Sequence, residues 1–360
     1  KEEAVPPELI SKMANELGLF GVCFDEKYGG SGLGKVGLCI VAEELGYADA
    51  STAVVFGAHV SLALSAIDLF GTEDQKQRYL VPGIAGQKIG AFAVTEAGAG
   101  SDVAGTSMLA RKVEGGWILN GSKQFITNGE IASLVVVFAH AESIEGAKTL
   151  AAFIVDTESA GFKVEKCWEK MGIHASKTND LVFDDVFVSD RNLLISKTGP
   201  NGEPRYGFKS LMTVFNHSRV MVSACCLGFM RRAIDESIKQ VKSRKLFGRP
   251  MYAFQNPQLK MADMWVDYYI GQSAIYDAAW KIDRGLDIRL EAAAVKSRIP
   301  ERSKKVIDAA LQLHGGTGYT KECPLEKLYR DVKVFELFEG TTEVQLFTIV
   351  KEWLFKRHIL

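Results

Sequence analysis

The chain has 360 residues, of which 47% are hydrophobic and 24% are charged, a composition typical of a globular protein with two or three domains. Its 43 basic and 44 acidic residues give a net charge of -1, which argues against a strong overall field for nucleic acid or an acidic membrane surface. No apolar run is expected to reach the roughly 20 residues of a membrane span, and no signal-peptide pattern opens the chain, so a soluble protein is predicted.

Residues 1–87 carry apolar side chains at helical spacing, for example at Leu9, Met13 and Leu17, and predict an all-helical first domain. The glycine-rich run at residues 29–32 predicts a plain turn in preference to a phosphate cradle. Thr72 is placed to cap the helix that follows it.

Residues 88–203 change to short β-rich runs separated by glycine or polar turns, which predicts a β-barrel or β-sandwich domain. The predicted strands cover residues 89–95, 117–120, 134–140, 150–155 and 181–188. Helical crossovers are missing between these runs, so a doubly wound sheet is disfavoured, and the G-x-G at Gly98 and Gly100 is an implausible Rossmann fingerprint.

Residues 204–360 return to long helical patterns and predict a C-terminal helical bundle, so that the fold class is α+β. A ridge with four-residue spacing is expected to pack inside the bundle; its members are Ala262, Val266, Ile270, Ala274 and Ala278. Pro300 removes a backbone donor within an otherwise helical stretch, and a kink or break is expected there.

Cysteine and histidine spacing bears on redox and metal chemistry. The six cysteines include no C-x-x-C pair and are interpreted as buried thiols in a reducing compartment. The six histidines form no H-E-x-x-H array, so no metal site is expected.

Five runs in the chain contain candidate site residues. They are AVTEAGAGSD at 93–102, GSKQFITNG at 121–129, RKLFG at 244–248, HGGTGY at 314–319 and LFEGTTE at 337–343. The last run places Glu339 between an aromatic ring and a glycine, which suits a catalytic base. Taken alone, the run favours a surface acid beside a helix start, with Thr341 or Thr342 as the N-cap.

In this order and spacing, the five runs closely resemble the acyl-CoA dehydrogenases over nearly the whole chain. The resemblance implies a helical domain at 1–87, a β domain at 88–203 and a four-helix bundle at 204–360. Family members usually have further helical residues before Lys1, so an N-terminal piece is expected to be missing, which leaves a removed targeting sequence open.

The resemblance also implies chemistry. The expected enzyme uses FAD to convert an acyl-CoA into a trans-2-enoyl-CoA during fatty, amino or aromatic acid catabolism, and passes the electrons to an electron-transferring flavoprotein. A homotetramer built from two dimers is expected. The expected location is the bacterial cytoplasm, with the mitochondrial matrix as the alternative.

Individual roles follow the family pattern. Glu339 matches the base, whose backbone N–H also meets the substrate oxygen. Ser218 occupies the position that carries the base in a subset of the family, and a serine is unsuited to that role. The expected cofactor contacts are Thr95, Ser101, Phe125 and Thr127, then Arg244, Phe247, Gln255, Gln312 and Gly316 toward the FAD of a neighbouring subunit, and Thr341 and Glu343. The expected substrate contacts are Ser176, Asn216, Arg219 and Gly340, where Arg219 fits a structural ion pair equally well.

Two other functions compete with the dehydrogenase. An acyl-CoA oxidase would let oxygen reach the reduced flavin, but oxidases of this lineage are generally longer. A flavin-binding scaffold or assembly factor would have little turnover, and the retained Glu339 disfavours it. The acyl group is expected to be short to medium, and a branched or cyclic group is left open. A dicarboxylyl group is disfavoured, since residues 54–60 lack an arginine for a distal carboxylate. Gly57 and Ala58 fit either a branched acyl group or tight helix packing.

Overall fold

The computed structural model describes residues 4–142, 148–194 and 207–359. Helices come first, a β-sheet follows and helices return, as the sequence predicted. The predicted boundary between residues 203 and 204 lies outside the described ranges. By their contacts, the described residues form two compact units. The first unit contains the described residues of Lys1–Gly34, Val54–Glu169 and His174–Ser218. The other contains Lys35–Ala53, Lys170–Ile173 and the described residues from Arg219 onward.

The N-terminal helices confirm the helical spacing. They are α1 (Pro7–Asn15), α2 (Gly34–Ala48), α3 (Ala50–Gly57), α4 (Ser65–Phe70), α5 (Glu73–Gln75) and α6 (Val81–Ile84), with π-helical segments at Ala58–Leu64 and Lys76–Leu80. Thr72 caps α5 in a capping box with Gln75, as predicted. Residues 29–32 form a loop.

The expectation about apolar runs is wrong on length and composition, because Ala50–Phe70 forms a 21-residue helical stretch long and apolar enough to cross a membrane. In the described chain it is the one such stretch, and 78% of its most apolar window is buried inside the protein. Its apolarity is therefore explained by core packing. Within it, the buried His59 ring bridges two backbone groups, with Nδ1 accepting from the N–H of Gly90 (2.9 Å) and Nε2 3.1 Å from the carbonyl of Gly83.

The middle region forms a seven-stranded mixed sheet with the order β1-β4-β2-β3-β7-β6, and β5 pairs with β4. The strands are β1 (Gly90–Ala93), β2 (Leu109–Val113), β3 (Gly116–Thr127), β4 (Leu134–Glu142), β5 (Lys148–Asp156), β6 (Phe162–Cys167) and β7 (Thr178–Ser189). Strands β2 and β6 were not predicted. Strand β4 pairs along one edge with β5, and its other edge is shared by β1 at Leu134–Val137 and β2 at His140–Glu142. The sheet encloses an apolar core that includes Leu119, Val137 and Phe153.

The C-terminal region contains α7 (Phe208–Ser243), α8 (Gln255–Asp283), α9 (Arg289–His314), α10 (Pro324–Val332) and α11 (Thr342–Ile349), with a π-helical segment at Val350–Ile359. A short hairpin of β8 (Lys245–Leu246) and β9 (Arg249–Pro250) lies between α7 and α8. Of the kink or break expected at Pro300, the break is wrong, since α9 continues through this residue, and the kink stays a prediction. Ile299, Pro300 and Ser303 are all buried, so tertiary packing holds the helix together despite the missing donor.

The expected packing ridge on α8 is confirmed at Ala278, which is buried, but it is wrong for Ala262, Val266 and Ile270. Val266 and Ile270 are exposed, and the buried side of α8 is formed instead by residues such as Met264, Gly271 and Ile275. The four-residue spacing therefore marks an apolar surface of this chain. The core on the other side of α8 contains the buried Glu43 carboxylate of α2, which accepts hydrogen bonds from α8; the donors are the hydroxyls of Tyr268 (2.8 Å) and Tyr276 (2.7 Å).

All six cysteines are free thiols, and four are buried. Cys167 is exposed at the end of β6 and Cys23 is half-buried, so the expectation of uniformly buried thiols is wrong for these two.

Candidate active site

One part of the predicted site lies where β1 and β3 end, within the first unit. The carbonyl of Thr95 accepts a hydrogen bond from the N–H of Gln124 (2.8 Å). This bond holds Thr95 beside the end of β3. The structure therefore brings together three of the predicted cofactor residues, Thr95, Phe125 and Thr127.

The end of β3 has an irregular backbone. Phe125 and Asn128 have φ values of 60° and 67°, and the register with β7 shifts between Lys123 and Ile126. Such a bulge redirects side chains, and the Phe125 ring is 52% exposed. An exposed ring on a rigid strand end is suited to packing against a planar ligand.

Trp168 is an aromatic neighbour that the sequence analysis missed. Its ring centroid lies 4.9 Å from that of Phe125, and its Nε1 donates to Asp180 (2.7 Å). The Nζ of Lys166 lies 3.3 Å from the Trp168 ring centroid. Nothing in the local sequence distinguishes Trp168 from an ordinary strand-end aromatic residue, because Phe125 and Asp180 come from other strands.

The loop after Thr95 is organised by the buried carboxylate of Glu96. This group accepts hydrogen bonds from Lys123 Nζ (2.7 Å), the Thr106 hydroxyl, the Ser107 hydroxyl and N–H (2.6 and 2.7 Å) and the Met108 N–H (3.1 Å). Lys123 Nζ also donates to the carbonyl of Val94 (2.9 Å). Burial acts to raise the pKa of Glu96, but the hydrogen bonds from Lys123 and Ser107 hold that pKa at about 2. The ion pair therefore fixes the main chain on both sides of Thr95.

Ser101 lies on the exposed part of this loop. A Cβ built on Gly98 or Gly100 would meet no atom within 4 Å. The backbone is thus open to close approach by a ligand, as a diphosphate requires. The exposed aromatic Phe125, the nearby residues Thr95 and Thr127 and this open loop together fit a flavin nucleotide.

The predicted base lies in the second unit, on a turn between α10 and α11. Glu339 has φ 56° and Gly340 has φ 96°, so both residues are left-handed. Glycine is favoured at position 340 by the left-handed backbone, and an added Cβ would lie 2.3 Å from Gln345 Nε2, which would have to move. Thr341 caps α11, its hydroxyl accepting from the N–H of Val344 (3.4 Å), as one interpretation of the sequence expected.

The surroundings of Glu339 differ from those of a surface acid. The residue is half-buried and its Oε2 atom is buried. The Phe338 ring packs against Phe335, with 4.9 Å between centroids. These features provide the partly apolar setting that the sequence predicted for a base.

Two buried cations hold the backbone of this turn. Arg219 Nε donates to the carbonyl of Glu339 (2.9 Å), and Lys296 Nζ donates to those of Phe335 (2.6 Å) and Gly340 (3.2 Å). Burial lowers the pKa of Arg219 to about 10 and that of Lys296 to about 8, and the negative charge of Glu339 opposes both shifts. Arg219 therefore lies beside Glu339, whereas the sequence analysis missed Lys296; the substrate roles of Arg219 and Gly340 stay predictions. The one sequence signal of Lys296 is a lysine directly after a run of alanines and a valine on α9.

The residues predicted to reach a neighbouring subunit's cofactor are accessible. Phe247 is 95% exposed at the tip of the β8–β9 hairpin, where it and Gly248 have φ 49° and 79°. The exposed set also includes Arg244, Gln255, Gln312 and Gly316. Glu343, predicted separately to contact the adenosine part of FAD, is exposed as well. Gln312 lines an open cavity of about 800 Å³ together with Tyr319 and Arg330. Their contacts with a second subunit stay a prediction.

The predicted CoA contacts are less accessible. Ser176 is fully buried and Asn216 is buried, as is Ser218 on the same helix. Their roles toward a substrate stay predictions. In the described ranges, no group of three or more His, Cys, Asp or Glu side chains is arranged to hold a metal ion.

Comparison with known proteins agrees with this geometry along the whole chain. The N-terminal, middle and C-terminal domains of acyl-CoA dehydrogenase match residues 1–87, 91–186 and 205–354. The short-chain specific acyl-CoA dehydrogenase of Megasphaera elsdenii is 40% identical over 343 residues, covering 94% of this chain and 88% of its own.

Solved structures give the same picture. The butyryl-CoA dehydrogenase of Megasphaera elsdenii superimposes with a TM-score of 0.92 at 37% identity, over 98% of this chain and 91% of that one. An acyl-CoA dehydrogenase of Bacillus anthracis complexed with FAD has a TM-score of 0.89 at 32% identity, over 97% of this chain and 61% of that one. The chain belongs to the acyl-CoA dehydrogenase family and is an FAD-dependent oxidoreductase of CoA-ester catabolism.

Proposed function

We propose that the protein dehydrogenates a short-chain acyl-CoA to its trans-2-enoyl-CoA, with Glu339 as the base that removes the α-proton. The observation that carries this proposal is the setting of Glu339: a half-buried carboxylate on a left-handed turn whose carbonyls are held by two buried cations. A surface acid would need no such support.

The α-proton beside a thioester is weakly acidic, so a carboxylate can remove it only if the base is poorly solvated and the developing enolate oxygen is stabilised. Phe338 and the burial of Oε2 limit the solvation of the carboxylate. The fixed φ of Glu339 sets the direction of its own N–H, which we assign to the thioester oxygen. Both requirements are then met by one residue.

FAD, when bound, accepts the β-hydride that leaves as the α-proton is removed. Thr95, Phe125 and Thr127 would hold the flavin ring, and Ser101 on the open loop would meet the diphosphate. The Glu96–Lys123 ion pair keeps these positions in register, because it ties Val94 and residues 106–108 to strand β3.

A short, uncharged acyl chain is favoured for two reasons. The relative that is 40% identical is specific for short chains, and the chain that superimposes with a TM-score of 0.92 is a butyryl-CoA dehydrogenase. In addition, residues 54–60, which are expected to line the far end of the pocket, contain no arginine for a distal carboxylate. A branched or cyclic short acyl group remains within this class.

We further infer assembly into a homotetramer, with electrons passed to an electron-transferring flavoprotein and the bacterial cytoplasm as the location. The exposed apolar face of α8 supports assembly, since it contains Trp265 stacked on Tyr269 (5.2 Å between centroids) beside Val266 and Ile270. A second copy would also bring Arg244, Phe247 and Gln255 to a neighbouring cofactor.

The test is an anaerobic titration of the FAD-loaded protein with straight, branched, cyclic and dicarboxylic acyl-CoAs, in which loss of the flavin's visible absorbance is followed. Rapid bleaching by butyryl-CoA and not by glutaryl-CoA is expected. Bleaching by none of the thioesters would contradict the proposal. If the protein consumes oxygen in air as fast as its flavin is bleached without oxygen, the protein is an acyl-CoA oxidase and not a dehydrogenase.

A further inference from the structure

Lys296 is a buried charge whose position is unusual for a lysine. It lies on α9 with none of its surface exposed, and its ammonium group donates to the carbonyls of Phe335 and Gly340. Burial of an ammonium group is costly, so such a group is retained only where its bonds are needed. Neither partner is a carboxylate, which argues against a simple structural ion pair.

The two carbonyls lie on either side of the candidate base. Phe335 belongs to the 3-10 turn Lys333–Glu336 that ends before Glu339, and Gly340 follows the base directly. One ammonium group therefore joins the entry and the exit of the turn. The carbonyl of Glu339 between them is held by Arg219. The turn is thus fixed at three backbone oxygens.

This support opposes a conformational strain. The left-handed conformation is unfavourable for any residue other than glycine, and Glu339 has φ 56°. Without the bonds from Lys296, the turn can relax toward right-handed conformations, which would rotate the peptide and move the carboxylate. Shifts of about 1 Å in a reacting group can reduce a rate by about a hundredfold.

The other charged groups near Lys296 do not replace it. Glu336 is paired with Lys304 and Lys333, each at 2.5 Å, and Arg219 already donates to Glu339. Cys226 is a buried thiol whose pKa burial raises well above its usual value, so it stays neutral. Lys296 is thus the nearby cation that bonds both ends of the turn.

We propose that Lys296 is a positioning residue for the dehydrogenation: its ammonium group clamps the carbonyls of Phe335 and Gly340 and so holds the Glu339 carboxylate and N–H in the orientation for α-proton removal. The inference rests on the proposed function of Glu339. It concerns the rate of proton removal and predicts no change in the binding of FAD.

The test compares Lys296→Met, which keeps the side-chain length without a donor, with Lys305→Met on the exposed side of the same helix, where the lysine lies 3.7 Å from Asp267. For Lys296→Met we expect a kcat about 10 to 100 times lower, a KM within about threefold and unchanged FAD content. The kinetic isotope effect with α-deuterated butyryl-CoA should rise, because proton removal becomes more strongly rate-limiting. Lys305→Met should match the wild type.

A graded variant covers the case in which Lys296→Met does not fold. Lys296→Gln retains a neutral donor for one carbonyl, so its kcat should lie between those of the wild type and Lys296→Met. If Lys296→Met does not fold, the kcat of Lys296→Gln should still be below that of the wild type. Wild-type kcat and isotope effect in Lys296→Gln or Lys296→Met would overturn the inference. A kcat loss that only parallels loss of FAD, with no change in the isotope effect, would also overturn it.

Glu339→Gln separates this inference from the function on which it rests. If Glu339→Gln is inactive while Lys296→Met reacts normally, the positioning role alone fails. If Glu339→Gln turns over normally, the proposed base fails.

Discussion

Replacing Gly340 by alanine tests how closely the reaction depends on the turn that carries Glu339. Gly340 has φ 96°, and an added Cβ would lie 2.3 Å from Gln345 Nε2 and 3.4 Å from Arg219 Nη2. The left-handed backbone alone costs an alanine roughly 1–2 kcal/mol. The collision adds to this cost, but the amide of Gln345 is the far end of a flexible side chain and can move.

The amide of Gln345 also lies 3.4 Å from the carbonyl of Glu339, so moving it loosens the base. We therefore expect Gly340→Ala to lose about 1–3 kcal/mol of stability and at least about tenfold in kcat. Urea denaturation measures the first quantity, and steady-state turnover of butyryl-CoA measures the second.

Gly285→Ala is the matched control. Gly285 has φ 69°, and its Cβ position has no neighbour within 4 Å, so it carries the same backbone penalty without a collision. It should lose about 1–2 kcal/mol with normal kcat. The reasoning is refuted if Gly340→Ala and Gly285→Ala lose equal stability and both keep wild-type turnover.

Three further predictions concern other parts of the chain. Burial lowers the pKa of His59 to about 4, below its usual 6.5, so the folded state binds fewer protons at this ring than the unfolded state does. The contribution of the neutral His59 to the free energy of unfolding is therefore complete above pH 6.5. It declines as the pH falls toward 4, by up to about 3 kcal/mol. Urea midpoints from pH 7 to 4 should thus fall more steeply for the wild type than for His59→Gln, and equal slopes would contradict this assignment. Lys123→Met leaves the buried Glu96 without its cation, so it should lower the free energy of unfolding by about 3–5 kcal/mol and reduce the FAD content. The double variant with Glu96→Gln should recover part of the stability. Wild-type stability and FAD content in Lys123→Met would contradict the structural role of this ion pair. Arg244→Ala should retain less FAD after dialysis and dissociate more readily in size-exclusion chromatography, and unchanged flavin content would argue against an intersubunit role.

Local patterns in the sequence predicted the order of helices and strands and the residues of the base turn. The capping box at Thr72 and the helix start at Thr341 are determined by residues within four positions, so both were predictable. Strand β6 was missed because most of its side chains are exposed, which removes the apolar alternation that marks a strand.

Features that depend on distant contacts could not be read from the sequence. The ridge on α8 has the spacing of a buried face, and spacing cannot distinguish the core of one chain from a surface covered by another. Pro300 shows that burial of its neighbours can override a missing hydrogen bond. Lys296 contacts the base turn, and Trp168 contacts Phe125 and Asp180, through residues more than ten positions away in the sequence.

The central claim is that Glu339 removes the α-proton. The measurement that tests it most directly is anaerobic single-turnover bleaching of the flavin by butyryl-CoA in wild type, Glu339→Gln and the control Glu301→Gln, a glutamate paired with Arg298 on α9. Glu339→Gln should bind FAD normally and bleach several orders of magnitude more slowly, since the amide keeps the shape of the side chain without its basicity. Glu301→Gln should bleach at the wild-type rate. Bleaching of Glu339→Gln at the wild-type rate would contradict the assignment of the base.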